Sequence, residues 1–205
     1  MGVITQNHID KGLSYSTYRA LIDEKFEEGK TTGTNHSESM LNYTKLNIQR
    51  MNKWEKVTKL SDETIALAQK IDKPQHWILL TEGWCGDAAQ CLPLIEKVAS
   101  LNENITLKML LRDENPEVMD EYLTDGGRSI PKLIILDGET LEELLVWGPR
   151  PEPAQQMMRD HKANPDAMTS SEFATQLHTW YAKDRGKTLE GEFIDILTSL
   201  QSQHV

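Results

Sequence analysis

Three short apolar segments lie near the middle of the chain, at residues 76–80, 105–111 and 132–136. Each is bounded by polar or turn-forming residues, which is typical of strands. The unbroken apolar character of 76–80 predicts a central strand covered on both faces of a sheet. A fourth segment, 144–147, follows the turn signal Asp137-Gly138-Glu139 and is predicted to pair back as an edge strand.

Around these strands, apolar residues recur at intervals of three and four, which predicts amphipathic helices. The predicted helices span residues 16–28, 37–54, 61–73, 87–101, 116–123, 153–162, 170–183 and 189–200. Ser61 is a favourable N-cap for the third of them. Residues 1–14 have no strong period and are expected to form a loose arm.

The order of elements predicts one globular unit with three parts. A core at residues 74–163 reads strand, helix, strand, helix, hairpin, helix, and is preceded by a helical extension at 1–73 and followed by another at 164–205. The chain of 205 residues suits a single domain with a full core. The extensions could cap the core, cover an edge strand or form a dimer contact, and the pattern does not choose between these roles.

Charge and hydropathy exclude some classes of partner. The formal net charge is −10 and the basic residues are scattered along the sequence, which argues against nucleic-acid binding. No stretch approaches the roughly 18 apolar residues of a membrane span, and the N-terminus has no secretory signal pattern. We therefore expect a cytoplasmic location and no membrane partner, while earlier removal of a signal peptide stays open.

The candidate chemistry lies where the central strand passes into the next helix, at Trp84-Cys85-Gly86-Asp87. The first turn of a helix has free backbone N–H groups and the positive end of the helix dipole. A thiol in this position is easier to ionise, and the thiolate is the reactive form.

This segment resembles the active-site loop of the thioredoxin superfamily, Trp-Cys-Gly-x-Cys. Pro93, eight residues after Cys85, is similar to the proline that bends the family's second helix, and Ser129-Ile130-Pro131-Lys132 resembles its cis-proline loop. The resemblance implies an α/β thioredoxin fold, a central mixed sheet flanked by helices, with extra N- and C-terminal helices. It also implies that Cys85 is the catalytic nucleophile.

Two departures from the family affect the chemistry. Ala88 stands where the resolving cysteine should be, and Leu79 stands where many thioredoxins bury an acid. Cys91 lies six residues after Cys85, about 9 Å of rise and 240° of rotation along a continuous helix. A disulfide between these two cysteines is therefore disfavoured.

The remaining residues that the resemblance assigns to substrate binding are Trp84, Gly86, Asp87, Ile130 and Pro131. Two roles are open to Asp87: it could stabilise the start of the helix, or it could orient a substrate or accept a proton. We favour the first role. Cys91 is expected to be a buried apolar residue. The spacing of cysteines and histidines supports no zinc site, and we expect no cofactor.

Two hypotheses of function follow. In the first, the protein carries out monothiol redox chemistry through a mixed disulfide at Cys85, which requires a low pKa for that thiol. Its partner would be a protein or a small thiol, with glutathione or another external thiol as the resolving agent. In the alternative, the protein is a non-catalytic thioredoxin-fold binding module. The sequence leaves catalytic turnover and oligomeric state open.

Overall fold

The computed structural model describes residues 2–202, which form nine α-helices and four β-strands. The helices are α1 Gln6–Lys11, α2 Tyr15–Glu27, α3 Glu38–Val57, α4 Asp62–Gln69, α5 Gly86–Ala99, α6 Pro116–Glu121, α7 Glu152–Ala163, α8 Ser170–Asp184 and α9 Lys187–Ser202. The strands are β1 Gln75–Thr81, β2 Ile105–Leu111, β3 Lys132–Asp137 and β4 Glu143–Trp147.

The four strands form one mixed sheet in the order β2-β1-β3-β4. Strand β1 runs parallel to β2 and antiparallel to β3, and β3 pairs with β4 as an antiparallel hairpin. The predicted element order in the core is therefore confirmed. The side chains of Ile78, Leu79 and Leu80 are fully buried, because helices cover both faces of the sheet at its central strand.

The N-terminal arm is not loose, which corrects the sequence-based expectation. Ile4 and Ile9 are buried, and Leu13 exchanges two backbone hydrogen bonds with Met109 of β2, at 2.9 and 2.8 Å. The segment gives little periodic signal because α1 has only 6 residues. The arm is instead held in place by backbone pairing with β2, the edge strand of the sheet. Met1 lies outside the described residues.

Both helical extensions pack on the core. Helix α3 lies against α5, and α4 lies against α9. Phe193 of α9 is fully buried and its ring lies 5.9 Å from Trp77 and 5.8 Å from Trp147, measured between ring centroids. The C-terminal extension therefore covers the sheet. Between residues 2 and 202, no helix is both long enough and apolar enough to cross a membrane.

Candidate functional site

Cys85 is the N-cap of helix α5, directly after the turn that follows β1. Its Sγ accepts a hydrogen bond from the backbone N–H of Ala88 at 3.4 Å and donates one to the carbonyl oxygen of Ile130 at 3.3 Å. The second bond ties the cysteine to the loop that precedes β3, where the Ile130–Pro131 peptide bond is cis. Only 7% of Cys85 is exposed.

Cys85 contributes to the wall of an open pocket of about 380 Å³. Four of the other residues that the sequence assigned to the site also line it: Trp84, Gly86, Asp87 and Ile130. Pro131 is buried and follows Ile130 in the chain, but it is not among the residues that line the pocket. The fold therefore brings five of the six assigned residues to one cavity.

The thiol of Cys85 is not activated in the way the sequence led us to expect. Burial, followed by the nearby carboxylate of Asp87, raises the pKa of Cys85 to about 12. The N–H of Ala88 and the charge of Arg150 lower this pKa by less. The favourable position at the helix N-terminus is outweighed by removal from water, so the free protein holds Cys85 as a thiol at neutral pH.

Asp87 lies in the first turn of α5, as predicted, but it is also half of a buried ion pair. Its Oδ2 is 2.7 Å from Nη2 of Arg150, with both side chains 10% exposed or less. Its Oδ1 accepts a hydrogen bond from the hydroxyl of Tyr181 at 2.9 Å. Burial is the largest influence on the pKa of Arg150 and lowers it, but the charge and hydrogen bond of Asp87, together with Tyr181 and Cys85, raise this pKa by more in sum, so the net shift is upward. Asp87 therefore holds α8 and the segment after β4 against α5.

Arg150 reaches the site through a tight turn after β4. Gly148 has a φ of +108°, and a Cβ at this position would lie 2.5 Å from the carbonyl oxygen of Pro131. Only glycine fits so close to the Ile130–Pro131 loop. The guanidinium of Arg150 is further held by Gln155, whose Oε1 accepts a hydrogen bond of 3.1 Å from Nη1.

The helical extensions supply residues that the sequence analysis did not assign to the site. Arg50 and Tyr43 come from α3, and His178 and Tyr181 come from α8. Tyr43 is 47% exposed and lines the pocket. Cys91 is fully buried, as expected, with its Sγ 3.9 Å from the Tyr181 hydroxyl.

Trp84 is half-buried beside Cys85. The guanidinium of Arg112 lies over its ring, 4.7 Å from the ring centroid. This is a cation–π contact. It means that one face of Trp84 is covered by a charged group rather than left free as a flat contact surface.

The site contains a buried acid, although not at the position where the family has one. Leu79 is fully buried, and the acid is Glu82, immediately after β1. Glu82 accepts a hydrogen bond from the backbone N–H of Asp113 at 2.9 Å, and its carbonyl oxygen accepts one from the N–H of Cys85 at 3.0 Å. Burial raises the pKa of Glu82 to about 7, against smaller lowering by Thr32 and Asp113.

This raised pKa predicts a pH dependence of stability. Between about pH 4.5 and 7 the folded protein retains a proton that the unfolded chain releases, so the free energy of unfolding falls as the pH rises through this window. In Glu82→Gln, the loss of stability from pH 5 to pH 8 should be smaller by up to about 3 kcal/mol. Urea denaturation at both pH values measures this change in the free energy of unfolding.

The matched control for this experiment is Glu121→Gln, which replaces an exposed acid. This variant should keep the pH dependence of the wild type. The same pH dependence in the wild type and Glu82→Gln would contradict the assignment of a raised pKa to Glu82.

Among residues 2–202, no group of three or more histidine, cysteine, aspartate or glutamate side chains is arranged to hold a metal ion. Both cysteines are free thiols. The chemistry that the site offers therefore rests on one thiol, the two buried acids Glu82 and Asp87, and a set of arginine, histidine and tyrosine side chains.

A family model described as Thioredoxin matches residues 33–167. Among solved structures, a protein of unknown function from Pseudomonas aeruginosa is similar at 17% identity with a TM-score of 0.61, covering 99% of each chain. An HIV epitope-scaffold is similar at 17% identity with a TM-score of 0.57, covering 96% of this chain and 97% of its own. At this identity the two structures support the fold alone. Among curated proteins, no sequence matches this chain.

Proposed function

Because the chain belongs to the thioredoxin family, whose model matches residues 33–167, we propose that it is a monothiol thiol–disulfide exchange protein that forms a mixed disulfide at Cys85. One observation carries this proposal: Cys85 borders an open pocket of about 380 Å³, and no second thiol accompanies it there. Residue 88 is alanine, and Cys91 is buried against Tyr181.

The proposed reaction is a single exchange with a disulfide ligand. The sulfur of Cys85 attacks one sulfur of the ligand, the ligand's S–S bond breaks, and a new S–S bond forms to Cys85. The departing sulfur leaves as a thiolate and takes up the proton that Cys85 releases. An external thiol such as glutathione reverses the step by attacking the mixed disulfide, because the chain has no cysteine at position 88 to do so.

The raised pKa of Cys85 makes this exchange slow and its product long-lived. Little thiolate is present at neutral pH, so attack is infrequent. A thiolate with a high pKa is also a poor leaving group, so the mixed disulfide is broken slowly. These properties favour accumulation of the adduct over rapid turnover, and they replace the low pKa that the redox hypothesis first required.

We expect wild-type protein incubated with a small disulfide at pH 7.4 to gain the mass of one adduct, located at Cys85 by peptide mapping. Cys91→Ser should gain the same adduct and Cys85→Ser should gain none. The alkylation rate of Cys85 should continue to rise about tenfold per pH unit above pH 9, since the pKa is about 12. An unmodified wild type after prolonged incubation, or a rate that levels off near pH 7, would contradict the proposal.

The second candidate is a non-catalytic binding module, which the raised pKa of Cys85 favours. In this case the pocket holds its partner without a covalent step. Cys85→Ser would then keep both partner binding and the cellular phenotype. Loss of the phenotype in Cys85→Ser, with stability unchanged, would exclude this candidate and support thiol exchange.

A further inference from the structure

The pocket at Cys85 collects positive charge in a protein whose formal net charge is −10. Four arginines line it, and they come from distant parts of the chain: Arg50, Arg112, Arg128 and Arg150. The single acid among the lining residues is Asp87. Basic residues that are scattered along the sequence therefore form a cluster in the folded protein.

Three of these arginines are neutralised by carboxylates at salt-bridge distance. Arg150 pairs with Asp87 at 2.7 Å, Arg112 with Asp113 at 2.7 Å, and Arg128 with Asp120 at 2.6 Å. Within the described part of the chain, the fourth arginine, Arg50, has no carboxylate in a salt bridge, and its Nη1 donates to Oδ1 of Asn47 at 2.8 Å. The pocket therefore carries one uncompensated positive charge.

His178 places a hydrogen-bond donor next to this charge. The indole N–H of Trp54 donates to Oε1 of Gln90, so the Gln90 amide nitrogen faces Nδ1 of His178 at 3.1 Å and donates to it. The proton of the neutral ring is therefore on Nε2. Burial, with the charges of Arg50 and Arg150, lowers the pKa of His178 to about 4, so the ring is neutral at pH 7.

The donor group of His178 and the charge of Arg50 meet over Gly86, the residue after Cys85. A Cβ on Gly86 would lie 2.8 Å from Nε2 of His178 and 3.4 Å from Nη1 of Arg50. The absence of a side chain there keeps both groups at the first turn of α5, a helix of 14 residues. Such a turn favours negatively charged ligands.

Apolar and aromatic side chains also line the pocket: Met40, Tyr43, Met158, Phe173 and Leu177. A cavity of about 380 Å³ is large enough for a small organic molecule. The pocket thus offers an apolar wall, one uncompensated charge with an N–H donor, and a thiol.

We propose that this pocket selects low-molecular-mass disulfides and thiols that carry a carboxylate, with the carboxylate bound by Arg50 and His178 and the sulfur placed at Cys85. This inference rests on the proposed thiol exchange and names its substrate class. A single negative charge matches the single uncompensated cation of the site. The chemical step is the exchange already described, with the disulfide ligand as the oxidant that is reduced to its thiol.

The test compares three disulfides of similar size and different charge: dithiodipropionate, which is anionic, hydroxyethyl disulfide, which is neutral, and cystamine, which is cationic. The rate of adduct formation at Cys85 is measured by intact mass and divided by the rate with a small uncharged thiol in solution. The anionic disulfide should react about tenfold faster than the neutral one on this scale, and the cationic one slowest.

In Arg50→Gln, the preference for the anionic disulfide should fall about tenfold. Lys45→Gln is the matched control, because it removes the same charge from an exposed position on the same helix and should leave the preference unchanged. The wild type alone provides a second test. Its preference for the anionic disulfide should shrink as the salt concentration is raised from 10 mM to 500 mM, since salt screens charge.

Equal normalised rates for the three disulfides would overturn the substrate class and leave the proposed thiol exchange intact. No adduct with any of the three would overturn the thiol exchange and this inference together. A preference that survives in Arg50→Gln but is lost in Lys45→Gln would overturn the placement of the carboxylate.

Discussion

Replacing Asp87 by alanine is expected to lower the free energy of unfolding by about 3–5 kcal/mol. The change leaves the guanidinium of Arg150 without its carboxylate in a site where that side chain is only 10% exposed. It also removes the acceptor of the Tyr181 hydroxyl, 2.9 Å away in the wild type. Removing one member of a buried pair costs more than the pair itself contributes, because the remaining charge stays out of water.

Thermal and urea denaturation measure this loss, and for a chain of this size the melting temperature should fall by roughly 6–20 °C. Asp120→Ala is the matched control. It breaks the pair with Arg128, which has a contact of 2.6 Å but side chains that are about half exposed, so its stability should change little. Equal losses in the two variants would show that burial does not decide the strength of the Asp87 pair.

The second large effect is expected from Ala88→Cys, which restores the position of a resolving thiol. The backbone N–H of residue 88 lies 3.4 Å from Sγ of Cys85, and residues three apart share one face of a helix. A thiol there can attack the mixed disulfide and release the ligand. Insulin reduction should be low in the wild type and rise at least about tenfold in the variant.

Ala99→Cys provides the comparison for this experiment. It adds a cysteine at a buried position of the same helix, but about 21 Å of helix rise separates this position from Cys85. It should therefore give no gain in insulin reduction. Wild-type activity equal to that of Ala88→Cys would mean that Cys91 or an external thiol already resolves the adduct.

Local patterns predicted most of the fold. The predicted segment 105–111 is strand β2, and the segment 76–80 lies within β1. Ser61 caps α4 through its side chain, as its position before an apolar period indicated. These features depend on the chain near each residue, so a single sequence contains them. The element order then determined the sheet, since the helix between β1 and β2 allows them to lie parallel.

The composition of the site could not be predicted in the same way. Tyr181 reaches Asp87 across 94 positions of sequence, and Arg50 and His178 lie on helices whose polar faces have no local mark of a site. Which helix lies over the N-terminus of α5 is decided by packing of the extensions. The pKa of Cys85 follows from the same packing, because α3, α8 and the Ile130 loop exclude water from a thiol that would otherwise ionise more easily.

The aromatic cluster of Trp77, Phe193 and Trp147 constrains how this sequence can vary. Phe193 has centroid distances of 5.9 and 5.8 Å to the two indole rings. A change of volume in one ring therefore has to be matched by changes in the others, because an interior this tightly packed tolerates mainly swaps that conserve volume. Substitutions in the last helix should consequently co-vary with those in strands β1 and β4, so that the extension and the sheet diverge together rather than as separate modules.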